Sequence, residues 1–183
     1  FWTFFLPRLK KMLASQLSGV GLEQFVLAMN HVEPSLVRVE ADEMTYDLHI
    51  IIRFEIERDL FAGKVSVADL PVVWNQKMEN YLGVTPPNHG KEGVLQDVHW
   101  SGGSFGYFPS YSLGNMAAAQ FWSTMRAAMP TLDEQISRGD FADILRWLRD
   151  NVHLHGRRFK RDELMMRVTG MPLTTGDYVR YLN

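Results

Sequence analysis

Hydrophobic residues recur at helical spacing along most of this chain, and glycines and prolines cut the pattern into short segments. Phe5, Leu9, Met12, Leu13 and Leu17 line one face of a segment from Phe1 to about Ser18, with Lys10 and Lys11 outside it. That predicts a first helix closed by Gly19 and Gly21. Leu22 to Met29 predicts a second, and Pro34 opens an element in which Arg38, Glu40, Asp42 and Glu43 cluster, acidic groups that suit the positive end of a helix dipole. Leu48, Ile50, Ile52, Phe54 and Ile56 alternate with period two, as a strand would. A helix competes, because the 21 residues from Glu40 to Leu60 hold neither Gly nor Pro, a longer run than strands usually make.

After Gly63, Ser66 with Asp69 resembles an N-cap and Pro71 suits a first turn, so a helix is expected up to Gly83. Thr85 to Lys91 reads as a loop. Leu113 to Met129 is a strong helix former stopped by Pro130. Thr131 and Glu134 form a capping-box pattern before a helix closed by Gly139. Asp140 then caps a helix whose apolar face is Phe141, Ile144, Leu145 and Leu148. Arg161 to Val168 and Asp177 to Leu182 complete the set. No internal repeat or low-complexity segment interrupts it, and the fold class expected is all-α, a single helical region over residues 1–183.

One stretch differs from the rest. Gly93 to Asn115, GVLQDVHWSGGSFGYFPSYSLGN, combines five aromatic residues, a His beside a Trp and a glycine cluster with almost no charge. Gly102, Gly103 and Gly106 let the backbone turn tightly, and His99, Tyr107 and Tyr111 carry donors on rigid bodies. A cleft wall and a tight turn with aromatics in a core are both compatible with that composition.

Within this stretch Gly93 to Trp100 reads GxxQDxHW, and Val37 to Asp42 reads VRVEAD, an [IV]RxxAD element, in the same order. Both resemble motifs of the carboxypeptidase Taq family of thermostable zinc carboxypeptidases, and the similarity runs from FFLPRLKK to RDELMMRVTG. The resemblance implies helix over Glu40 to Leu60 and a helical C-terminal subdomain of a larger zincin-like peptidase. It also implies that the HExxH helix, the third ligand Glu and other elements of the family lie upstream of Phe1.

Composition bears on the alternatives. The 183 residues are 46% hydrophobic and 22% charged, enough for a compact core. A charge of −2 from 19 basic and 21 acidic residues argues against nucleic acid as the main partner. There is no cysteine, so neither a disulfide framework nor a thiolate zinc site exists. Pro7 and Arg8 end the apolar N-terminal run too early for a signal peptide or membrane span, so no membrane is expected and cytoplasm is the default. A chain that starts at Phe1 without Met reads as a piece of a longer protein, with apolar surface at Phe1, Trp2, Phe4 and Phe5 left open for its partner half.

Two histidines one turn apart with an intervening Glu would bind zinc and polarise its water, but none of the six histidines stands in that pattern. His153 and His155 read as surface histidines near a helix end. His31 and His49 read as satisfied structural groups, and His89 lies in the polar loop. No metal site is expected here; zinc or a similar divalent ion belongs to the full-length parent. Arg38 is the candidate for the substrate's terminal carboxylate, since a guanidinium holds a carboxylate through two parallel hydrogen bonds. From spacing alone Arg38 and Asp42 would pair at i, i+4; the resemblance favours carboxylate recognition, with Asp42 orienting Arg38. The resemblance also places His99 at the active cleft, with Gln96 and Asp97 in support and Tyr107 or Tyr111 able to reach the same oxyanion. It implies peptide C-termini as partners and a homodimer in the parent. The alternative is a non-catalytic helical interaction module that has kept the fold.

Overall fold

The computed structural model describes residues 1–87 and 90–183. Asn88 and His89, within the loop expected from Thr85 to Lys91, lie outside the described residues. Every regular element among the described residues is helical. In order they are α1 (Trp2–Met12), α2 (Ala14–Leu17), α3 (Leu22–Met29), α4 (Glu43–Phe61), α5 (Leu70–Leu82), α6 (Pro109–Ala128), α7 (Leu132–Arg138), α8 (Ala142–Asn151), α9 (Arg161–Thr169) and α10 (Gly176–Leu182), with short 3-10 turns at Arg38–Glu40, Val67–Asp69 and His153–His155. The chain forms two compact units, one of residues 1–30 with 116–181, the other of residues 31–115.

Several expectations change in detail. The first helix is broken at Leu13, whose φ of −119° and ψ of 50° leave the helical region. Thr131 and Glu134 make no capping box, because Thr131 sits at φ −94°, ψ 10° rather than in the extended conformation that aims a cap side chain at the first amides. Ser66 stands just before the 3-10 turn at Val67–Asp69, yet its hydroxyl donates to the Asp69 carboxylate at 2.7 Å instead of accepting from a backbone amide. α6 begins at Pro109, four residues before the expected start, with proline at the first helical position where its missing N–H is harmless.

In the first unit α1 packs on α3 and α7 through aromatic residues. Trp2 meets Phe25 edge-on at 4.9 Å, and Phe5 stacks on Phe141 at 6.0 Å. Phe4 lies over Gly139, where an added Cβ would come within 2.3 Å of the ring. The open aromatic surface expected at the N-terminus is thus confined to Phe1; Trp2, Phe4 and Phe5 are partly buried against their own unit. Buried Gln120 of α6 joins the C-terminal segment, donating to the Pro172 carbonyl at 3.0 Å and accepting from the Thr174 amide at 2.8 Å.

The second unit is built on α4 and α5. Ile52 and Ile56 of α4 pack with Trp74, Met78 and Leu82 of α5 and with Val94, and Trp100 closes over this core. The alternation at residues 48–56 therefore belongs to a helix covered on more than one side. Ile50, Ile52 and Ile56 are buried, whereas Phe54 is exposed. Between the buried isoleucines, α4 also buries His49, Arg53 and Glu57, spaced four apart on one face.

Candidate functional site

Burial of charge marks the site. Among the described residues, the buried polar side chains are Arg38, Thr45, His49, Arg53, Glu57, Gln120 and Asp177, and the first five fall within a twenty-residue stretch of the second unit. Buried ionic groups are costly unless paired and hydrogen-bonded, so the partners of these residues define the arrangement.

Asp97 is its centre. Its Oδ1 accepts from Arg38 Nε at 3.1 Å and Nη2 at 2.6 Å, and its Oδ2 accepts from Arg53 Nε at 2.6 Å. Burial by itself would raise the Asp97 carboxyl, but the two guanidiniums outweigh it and hold the group below the usual carboxylate range. Arg38 is affected in the opposite sense: burial lowers it, yet Asp97 and Tyr46 raise it on balance. Its Nη1 donates to the Tyr46 hydroxyl at 3.0 Å, and its guanidinium lies 5.0 Å from the centre of the Tyr111 ring.

Arg53 is wholly buried, and desolvation pulls it down to about 10 despite Asp97, which still leaves it charged near neutrality. It donates to the His49 carbonyl and to Gln96 Oε1, each at 2.8 Å, and lies 4.7 Å from the Trp74 ring centre. Gln96 ties the two motifs together, because Oε1 also accepts from the Arg38 amide at 2.9 Å while Nε2 donates to the Leu36 and Glu92 carbonyls.

Asp42 does not join this network. The expected Arg38–Asp42 pair is absent because residues 38–40 form a 3-10 turn and the backbone is extended at Ala41 and Asp42, so i, i+4 spacing places them on no common face. Asp42 instead caps α4, accepting from the Met44 and Thr45 amides at 2.9 Å, the Thr45 hydroxyl and the Glu33 amide. The orienting contact expected of Asp42 is made by Asp97.

His99 and Tyr111 form a hydrogen-bonded pair, Nε2 to hydroxyl at 3.1 Å. His99 Nδ1 faces Asp97 Oδ1 at 3.9 Å and makes no hydrogen bond. Tyr107 stands over the same imidazole, ring centres 5.6 Å apart, but is 50% exposed. Tyr111 sits in the first turns of α6, so a helix fixes it, whereas Tyr107 ends an irregular loop.

Sequence reasoning missed Tyr46, Arg53 and Glu57. The available signal was the four-residue spacing of His49, Arg53 and Glu57 within a segment whose apolar residues occupy several faces. His49 is not the satisfied histidine expected. It is fully buried and neither ring nitrogen meets a protein partner; burial and the charges of Arg53 and Arg38 push it down to about 4. His31 is exposed beside Glu33, and His155 packs on Phe159 at 5.2 Å. Among the described residues, no three His, Asp or Glu side chains converge as a metal site requires.

Comparison with known proteins identifies the family. Residues 1–183 match the carboxypeptidase Taq (M32) metallopeptidase family. Carboxypeptidase 1 of Bacillus subtilis is 48% identical over 183 residues, all of this chain and 36% of the relative. Thermostable carboxypeptidase 1 of Thermus thermophilus is 48% identical over 182 residues, 100% of this chain and 35% of the relative. The crystal structure of the M32 carboxypeptidase from Deinococcus radiodurans superposes with a TM-score of 0.94 at 43% identity, covering 99% of this chain and 36% of that one. The chain thus spans about a third of the length of these relatives. With its whole length matched and both motifs set around one carboxylate, the chain belongs to the carboxypeptidase Taq (M32) family of metallopeptidases.

Proposed function

We propose that this chain forms the substrate-binding part of a metallocarboxypeptidase that releases residues from peptide C-termini. The observation that carries this reading is the charge count at Asp97. Two buried guanidiniums share one carboxylate, and neither bonds a second among the described residues. An excess of positive charge shielded from water favours an anionic ligand more than the same charge on a surface would. Of the five N–H groups of Arg38, three are committed to Asp97 and Tyr46, which leaves two for a terminal carboxylate. Arg38 then distinguishes a chain end from an internal peptide bond.

His99 and Tyr111 act where negative charge develops as water adds to the scissile carbonyl. With Nε2 protonated, His99 donates to the phenol oxygen and leaves the Tyr111 O–H for the substrate oxygen. The described residues do not fit a catalytic metal, since no three ligands converge. We therefore place the metal ligands elsewhere in the full-length protein, and the chain alone is proposed to be inactive.

The test is made in the metal-loaded full-length protein. Tyr111→Phe should lower kcat by roughly a hundredfold, the scale of one lost oxyanion donor, and His99→Ala, which removes the group holding that donor in place, by roughly tenfold to a hundredfold, each with little change in KM or metal content. Loss of metal from His99→Ala, or an unchanged kcat with a lower Tm, would overturn the assignment.

A further inference from the structure

We infer that Glu57 is a positioning residue for this site: from α4 it clamps both ends of the loop that separates His99 from Tyr107. Its Oε1 accepts from the Trp100 indole Nε1 at 2.6 Å and its Oε2 from the Gly106 amide at 2.8 Å. Trp100 directly follows His99, and Gly106 directly precedes Tyr107. One carboxylate thus sets the separation of two chain positions, one beside His99 and the other beside Tyr107, whose ring stands over the His99 imidazole at 5.6 Å. The inference rests on the reading of His99 and Tyr111 proposed above.

Little else holds this loop. Ser101 to Tyr107 are all exposed, and Phe105, 45% exposed, rests edge-on against Phe61, itself 72% exposed. The loop's internal bonds are local turns, Gly102 to Val98, Gly103 to Trp100 and Ser104 to His99. Gly106 adopts φ +72°, a left-handed conformation natural to glycine, which presents its amide to the carboxylate. Glu57 is only 3% exposed. A buried carboxylate is expensive without partners, and charge-assisted bonds from an indole and an amide are about twice as strong as neutral ones. The side chain is therefore committed to holding the loop, and a rigid helix rather than the loop itself fixes where the two rings stand.

The experiment compares Glu57→Gln with Glu55→Gln in the metal-loaded full-length protein. The Glu57→Gln substitution keeps the volume of the side chain but offers one good acceptor oxygen instead of two. Glu55 bonds Lys77 and Tyr81 on another face of α4 and serves as the control. Glu57→Gln should lower kcat roughly tenfold to a hundredfold, the effect of displacing reacting groups by about an ångström, with KM within about twofold and metal content intact. Hydrogen exchange at the Gly106 amide should accelerate, and Glu55→Gln should change neither. Should Glu57→Gln fail to fold, Trp100→Phe removes one of the two bonds and should lower kcat in the same way. Unchanged Gly106 exchange, or faster exchange with kcat intact, would overturn the inference. An unchanged kcat in His99→Ala would instead overturn the reading of the site, and Gly106 exchange would still decide whether Glu57 holds the loop.

Discussion

Arg53 reaches from the middle of α4 to Asp97, donating Nε to Oδ2 at 2.6 Å, while the opposite carboxylate oxygen holds Arg38. A helix buried in the core therefore sets the position of the guanidinium assigned to the substrate, through one shared carboxylate. On the proposed reading of Arg38, stability and recognition are coupled at this point.

Breaking the Arg53–Asp97 contact from one side should be expensive. Asp97→Leu leaves the buried Arg38 and Arg53 guanidiniums without their shared carboxylate, so a loss of about 3–5 kcal/mol is expected, the usual range for a buried charge stripped of its partner. Urea unfolding of the variant beside the parent measures it. A loss below about 1 kcal/mol would mean that the cluster contributes little to the fold.

Acid should weaken the fold in two separate windows. His49 is held near 4, whereas an unfolded imidazole takes up a proton near 6.5, so the unfolded chain binds protons first as pH falls. Stability should be level above about 6.5 and decline between about 6.5 and 4. Asp97, lowered in the folded state, contributes fully above the unfolded carboxylate value near 3.8 and is lost only as pH falls below it. His49→Leu removes no protein hydrogen bond of the ring and should flatten the upper window. Urea midpoints at about pH 5, within that window, and at about pH 7.5, above it, test this, and an unchanged difference between the two would contradict it.

Gly139 carries a different constraint. It combines φ +77° with the Phe4 ring at 2.3 Å from an added Cβ, whereas Gly63 has φ +68° and open space. Both alanine substitutions strain the backbone, but only Gly139→Ala must also displace Phe4 from between α1 and α7. Gly139→Ala should lose at least about 1 kcal/mol more than Gly63→Ala, the scale of overpacking a close contact. Equal thermal shifts for the two variants would contradict the packing described.

The helices were legible in the sequence because glycines, prolines and apolar spacing mark them. Gln96, Asp97 and His99 were legible through a motif in which they stand close together. The partners supplied by α4 were not, for a physical reason. A charged residue within a helix ordinarily faces solvent, and Arg53 and Glu57 depart from that rule because an irregular loop folds back over them from some forty residues away. The Arg38–Asp42 expectation failed for a related reason. The i, i+4 rule holds only where the backbone is α-helical, and a 3-10 turn followed by extended residues separates those side chains.

Recognition of a free chain end by Arg38 is the central claim, and the ratio of kcat/KM for a peptide with a free C-terminus to that for its C-terminal amide measures it directly. In the full-length protein, Arg38→Lys keeps the charge and loses the planar fork. Activity on the free peptide should fall by about tenfold or more, and the preference for it over the amide should shrink. An Arg38→Lys enzyme that discriminates between the two peptides as strongly as the parent would contradict the account.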